Sequence, residues 1–270
     1  MSNLLIHSMS EFAEIILGAL QLSQAAHVVE IGAEYGGMSS LVAEHVRERG
    51  GRLTSIDPAP KGAFLDWVAG MPHVHHIAKP SLEALDQVAA VDAWLIDGDH
   101  NWYTVYNELK RIEAINLRDG KPMLAFLHDV AWPSARRDMY YAPLQIPAEY
   151  RHAYDFESGA FPEKDALVWG RGFRGMGEFA WAKHEGGPRN GVRTAVDDFL
   201  AEVRAEGRDY AFAEVPAVFG LGVLFSADAP WSAEIAQLMV PFHRNRLLAS
   251  LERNRLANYL QVLEWQSAQG

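Results

Sequence analysis

The chain contains no cysteine. That absence removes disulfides, thiolate nucleophiles and thiolate ligands, so any metal must be held by oxygen and nitrogen donors. Positive charge is also scarce: 24 Lys and Arg stand against 35 Asp and Glu, a formal net charge of -11 over 270 residues. A duplex nucleic-acid binder needs a basic surface to neutralise phosphates, so no nucleic-acid partner is expected. No apolar run approaches the roughly 18 residues that cross a bilayer, and the start, M-S-N-L-L-I-H-S-M-S, lacks the basic and apolar stretches of a secretory leader. Together these absences predict a cytoplasmic protein with no membrane partner and a small-molecule ligand. The glycines after the first predicted strand, Gly32, Gly36 and Gly37, do not have the G-x-G-x-x-G spacing of a dinucleotide fingerprint.

What is present is a hydrophobic content of 49%, enough for a sizeable core. Short apolar runs at His27 to Ile31, Leu53 to Ile56, Val74 to Ala78, Ala93 to Ile96 and Met123 to Leu127 read as buried strands. Amphipathic stretches lie before and between them: Glu11 to Leu22, Ser39 to Arg49, Ala63 to Ala69, Leu82 to Val88 and Tyr103 to Asn116. Strand and helix in alternation predict an α/β, Rossmann-like, doubly wound and mostly parallel sheet. A helix from Gly191 to Ala205 and two runs, Tyr210 to Val215 and Phe219 to Phe225, follow, the runs spaced to pair as an antiparallel edge hairpin. Between them and the first half, residues 132–190 carry Pro, Gly, aromatic and Arg residues without a sustained period, which predicts a lid insertion. The expected organisation is a domain over residues 1–230 and a helical extension over 231–270, broken at Pro241, which would dock on its own domain or form a homo-oligomer contact.

The segment V-V-E-I-G-A-E-Y-G-G-M-S, from Val28 to Ser39, ends a strand in an acid and opens a glycine loop. Glu30 would repel a pyrophosphate but attract an ammonium or sulfonium group. Asp57, at the end of the second strand in T-S-I-D-P, is suited to accept two hydrogen bonds from ribose hydroxyls. With S-I-D and L-I-D-G-D-H added, the pattern resembles class I S-adenosylmethionine-dependent methyltransferases over Ala25 to Val130. The resemblance implies a seven-stranded sheet and a cofactor site in which Glu30, Gly32 and Gly36 shape the methionine side. Asp57 would hold the ribose, Ser81 would lie near the adenine, and Glu34, Tyr35, Ser39 and Asp97 would complete the surroundings.

L-I-D-G-D-H (Leu95 to His100) and L-H-D-V (Leu127 to Val130) place polar clusters at the ends of the fourth and fifth strands, where an open parallel sheet carries its chemistry. Strands about 5 Å apart would let Asp97 share one cation with His128 or Asp129. The arrangement resembles the metal-dependent sugar O-methyltransferases of natural-product pathways, of the macrocin, mycinamicin and novobiocin kind. That resemblance implies Asp97, His128 and Asp129 as ligands of a divalent cation, Mg²⁺ or Mn²⁺, and Asp99 or His100 as the base. His128 departs from the acidic residue common at its position, and imidazole favours Mn²⁺ or a later metal over Mg²⁺. His100 has the natural pKa for taking a hydroxyl proton at neutral pH. In W-P-S-A-R-R-D-M-Y-Y and H-E-G-G-P-R-N, Trp132, Arg136, Arg137, Tyr140 and His184 are candidates for a sugar-like acceptor. Two alternatives stay open: a metal-independent small-molecule N- or O-methyltransferase using Asp99 and His100, and a non-catalytic binding protein of the same fold.

Overall fold

The computed structural model describes residues 5–269, the side chains of 267–269 excepted. After α1 (Ala13–Leu22), strands and helices alternate: β1 (His27–Ile31), α2 (Gly37–Glu48), β2 (Arg52–Ile56), α3 (Gly62–Val68), β3 (Val74–Ile77), α4 (Ser81–Ala84), β4 (Ala93–Ile96), α5 (Trp102–Asp119) and β5 (Leu124–His128). Neighbours β3-β2-β1-β4-β5 are all parallel. The chain moves outward from β1 to β3 and then crosses back to β4, so the crevice between the ends of β1 and β4 is the switch point where such sheets bind ligands.

Each central strand is buried on both faces, which is why the sequence shows apolar runs rather than alternation. Val28, Leu95 and Phe126 face a core built with α1 and α2; their neighbours Val29, Trp94 and Leu127 face a second core built with α5. Local signals fix the helix ends. Asn101 caps α5 by accepting the Thr104 amide at 2.9 Å, and the helix stops at Gly120, whose φ of 63° is left-handed.

The segment that lacked a sequence period is not irregular. It holds β6 (Met139–Tyr140), β7 (Tyr154–Asp155), β8 (Ser158–Phe161), β9 (Lys164–Trp169) and β10 (Ala180–Ala182). These form a three-stranded sheet, β6-β10-β7, and a separate pair, β8-β9. Strands of two to six residues are too short to print a period. Then α6 (Val192–Ala205) packs on α5, and β11 (Tyr210–Val215) with β12 (Leu221–Ser226) completes a seven-stranded sheet, β12 lying antiparallel to β5.

The C-terminal helical stretch breaks between α7 (Ser232–Met239) and α8 (Arg246–Gln269), on either side of Pro241. α8 docks on its own domain: Leu256 packs with Phe219 and Tyr259, and Glu252 accepts the Phe219 amide at 3.0 Å. Leu247 and Leu251 remain exposed. Among the described residues, no helix is long and apolar enough to cross a membrane.

Candidate functional site

The loop after β1 is shaped by glycines that nothing else can replace. Gly32 has φ 87°, and a Cβ there would lie 2.2 Å from the Asp97 carbonyl oxygen, because the loops after β1 and β4 touch at the switch point. Gly36, at φ 80°, caps α2 and sits against the Phe64 ring, 2.9 Å from where a Cβ would be. Gly32→Ala is therefore expected to cost about 3 kcal/mol or more of stability, from backbone strain and backbone overlap together. Chemical denaturation checks it, and a midpoint equal to the parent's would show that the two loops do not meet.

Asp57 secures this loop from the next strand. Its Oδ2 accepts the Ala33 and Glu34 amides at 2.9 and 3.1 Å, and Oδ1 accepts the Ala59 amide at 2.8 Å. Only Oδ1 keeps an open lone pair for a ribose hydroxyl. Glu30 lies beneath the loop rather than on its surface. It is 2% exposed, and its Oε2 accepts the hydroxyls of Ser39 at 2.5 Å and Ser55 at 3.1 Å. Any attraction it exerts on an ammonium group would thus act from beneath the loop. Burial pushes its pKa up to about 7. Glu34 and Tyr35 project to solvent, and Ser81 opens α4 close to Glu108, a fully buried acid of α5 whose pKa burial raises to about 8.

A raised carboxyl pKa means that the folded chain binds the proton more tightly than the unfolded one. The stability that Glu30 contributes is complete below its ordinary value of 4.5 and is lost as pH rises through about 7. The loss should amount to about 3 kcal/mol at 1.4 kcal/mol per unit. Glu30→Gln removes that slope. Denaturation midpoints of both proteins from acid to neutral pH check it: the variant gains relative to the parent across this window, whereas a constant difference would contradict the assignment.

A cluster of acids and histidines stands at the ends of β4 and β5. Asp97, His100 and Asp129 each present a ligand atom, all within 4.8 Å of one another. His100 Nε2 is 2.8 Å from Asp129 Oδ2 and 3.5 Å from Asp97 Oδ1. From the interior, His128 Nδ1 reaches the same two oxygens at 3.1 and 3.0 Å, while its Nε2 is 2.9 Å from the Val218 carbonyl oxygen. Asp129 turns into the cluster on a left-handed φ of 60°. Burial opposes charge on both imidazoles, but Asp129 and Asp97 outweigh it, lifting His100 to about 10 and His128 well above its ordinary value. Burial likewise opposes charge on the two carboxylates, and the imidazoles outweigh it, holding both below the usual range. His100 Nδ1 is buried without a protein partner.

Asp99, the other candidate base, lies outside this cluster. Its carboxylate accepts from Thr104 Oγ1 at 2.7 Å, Asn101 Nδ2 at 2.5 Å and the His100 amide at 3.1 Å, an arrangement that organises the start of α5. The acceptor candidates disperse as well. Arg137 is completely buried, its guanidinium donating to the carbonyls of Ala182, Lys164 and Asp165. Tyr140 is 1% exposed and donates to Asp138 at 2.7 Å. Arg136 pairs with Asp197 of α6 at 2.6 Å, and His184 pairs in solvent with Asp165 at 3.2 Å. Trp132 packs on Phe173, with its indole N–H buried and unpartnered.

Tyr141 was not among the candidates, yet its half-exposed side chain meets His100 edge-on at 6.0 Å, and enclosure of its hydroxyl with Asp129 and Asp97 nearby keeps the phenol protonated. Tyr140 and Tyr141 are successive, so an extended backbone sends one inward and the other to the site. Sequence spacing revealed the pair but not which member faces where.

A sequence-family profile described as a methyltransferase domain matches residues 29–124. Among curated proteins, none matches the chain. An O-methyltransferase from Bacillus cereus in complex with SAH is similar in structure, with a TM-score of 0.50, 14% identity, and 83% of this chain and 85% of that one covered. A SAH-bound methyltransferase from Podospora anserina gives 0.46, with 14% identity and coverage of 80% and 76%. A 1,6-didemethyltoxoflavin-N1-methyltransferase from Burkholderia thailandensis gives 0.44, with 18% identity and coverage of 82% and 78%. At these identities the likeness to the Bacillus cereus enzyme is one of fold.

Proposed function

We propose that the chain is a methyltransferase: a methyltransferase-domain profile matches residues 29–124, and the sheet there ends in a cluster of two aspartates and two histidines. From that premise we propose an S-adenosylmethionine-dependent O-methyltransferase, assisted by a divalent cation, that acts on a hydroxyl of a sugar-like or other small natural-product acceptor. The observation that carries it is the convergence of Asp97 and Asp129 with both His100 and His128 at the ends of β4 and β5, beside the switch point.

The donor set fits a cation. Asp129 is buried and Asp97 partly exposed, and two carboxylates this close call for positive charge, which protonated His100 and His128 supply when no cation is bound; oxygen with imidazole suits Mn²⁺ or Mg²⁺. Asp97 and Asp129 would hold it. His128 would complete the set from Nδ1, because its Nε2 is committed to the Val218 carbonyl, the outer hydrogen bond usual for a metal-binding imidazole. A bound cation supplies Lewis acidity that lowers the pKa of an acceptor hydroxyl.

The remaining duties belong to the chain itself. Gly32 and Gly36 keep the loop after β1 open for the donor, and Asp57 fixes its shape. His100 takes the acceptor proton on Nδ1, with its ring oriented by Asp129 through Nε2. With both carboxylates uncompensated, its pKa of about 10 would keep His100 protonated at neutral pH and unable to serve. Charge compensation at Asp97 and Asp129 is thus part of making the base, which supports the cation-assisted form over the metal-independent one. Transfer of labelled methyl from S-adenosylmethionine to catechol and methyl glycosides, with Mn²⁺ or with EDTA, tests it. Cation-dependent transfer to a hydroxyl is expected. Transfer indifferent to EDTA overturns the cation's part, and transfer to none of these hydroxyls overturns O-methylation.

A further inference from the structure

We propose that Asp138, in the insertion, is the residue that positions His100. This rests on the proposed role of His100 as the base. Asp138 lies 38 residues from His100 in sequence and is completely buried. Its Oδ1 accepts two backbone amides, Trp102 N and Gly191 N, each at 2.7 Å. Trp102 is the first residue of α5 and Gly191 caps α6, so one carboxylate oxygen closes the positive ends of two packed helices. Oδ2 is occupied by the Tyr140 hydroxyl at 2.7 Å, and the Asp138 amide donates to Asn190 Oδ1 at 2.7 Å. Both carboxyl oxygens are thus engaged.

The next residue continues the attachment. Met139 N donates to the His100 carbonyl at 3.1 Å, and the two residues form an isolated antiparallel bridge. The main chain is therefore gripped at His100 O and at Trp102 N by consecutive residues of the insertion. Between these two points Asn101 is turned the other way, donating to Asp99 and accepting from Thr104. Little freedom is left to the His100 backbone, and its ring is aimed at Asp129. Asp97, Asp129 and His128 come from strand ends, which the sheet already places; His100 alone comes from a loop and needs an external hold. An ångström of drift in a base can cost about 10²-fold in rate.

Asp138→Ala removes the acceptor of two buried amides, whereas Asp138→Asn keeps a side-chain oxygen for both. Histidine-ring NMR of the full chain, with the His100 signals assigned by their loss in His100→Gln, reads the effect without turnover. The His100 signals should move in Asp138→Ala and return in Asp138→Asn, with those of His27 and His45 unchanged. Affinity for S-adenosylhomocysteine, measured by calorimetry, should stay within about twofold, since Asp138 touches neither the loop after β1 nor Asp57. Should the alanine variant not fold, Tyr140→Phe, which removes the hydrogen bond on Oδ2 together with the one the hydroxyl accepts from the His152 amide, should move the His100 signals less and in the same direction. His100 signals unmoved in the variants that fold, or moved alike in alanine and asparagine variants, overturn the proposal. Absence of S-adenosylhomocysteine binding by the parent would instead overturn the methyl-transfer function and leave the ring measurement standing.

Discussion

Replacing His100 by glutamine should lower methyl transfer by about 10³-fold while leaving affinity for S-adenosylmethionine within about twofold. Glutamine keeps a polar side chain of similar reach but has no group that can accept a proton near neutrality. The donor should not notice, because the Gly32 to Gly36 loop and Asp57 lie on the other side of the switch point and share no hydrogen bond with the imidazole. Single-turnover methyl transfer and calorimetry, run on the same preparation, check both halves. Equal losses in rate and affinity would mean that His100 supports binding and is not the base.

Asp129→Asn should be as severe by a different route. The carboxylate accepts from His100 Nε2 at 2.8 Å and faces His128 Nδ1 at 3.0 Å, so removing its charge would weaken the proposed cation's hold and disorient the proposed base together. Turnover at saturating Mn²⁺ should fall by about 10² to 10³-fold, and the Mn²⁺ concentration for half-activation should rise by at least about tenfold. The sign of the pH effect follows from the same carboxylates. In the parent protein under EDTA, His100 stays protonated below about 10, so the residual rate should climb as pH rises toward that value. Asp129→Asn lowers the His100 pKa, so its EDTA rate profile should level off at lower pH. A flat profile in the parent, or a half-activation concentration unmoved by the substitution, would remove Asp129 from the cluster.

The parts of the fold legible in sequence were those where burial overwhelms everything else. His27 to Ile31 and Ala93 to Ile96 are strands with the boundaries their apolar runs suggest, since both faces of each are covered. Glu30, Asp57, Asp97 and Asp129 stand out in the sequence because acids at the ends of parallel strands are conspicuous. What sequence could not show was the direction of a side chain. His128 and His100 stand at adjoining strand ends, and only the Val218 carbonyl and the unpartnered Nδ1 separate their duties. Asp99 sits two residues from Asp97 in the same motif, yet the start of α5 absorbs it. The insertion was the least legible. Arg137 looks like a surface cation and instead fills the interior, because main-chain carbonyls supply the acceptors that water would have given. Asp138, one residue on, has no mark in the sequence that separates it from any loop aspartate; its use depends on two helix starts, at Trp102 and Gly191, which only the folded chain brings together.

Calorimetric titration of S-adenosylmethionine into the full chain in the presence of Mn²⁺ tests the central claim most directly, because it needs no knowledge of the acceptor. One equivalent should bind with a micromolar dissociation constant, retained in His100→Gln. No measurable binding at millimolar donor would contradict the account, and with it every form of methyl transfer assigned to this site.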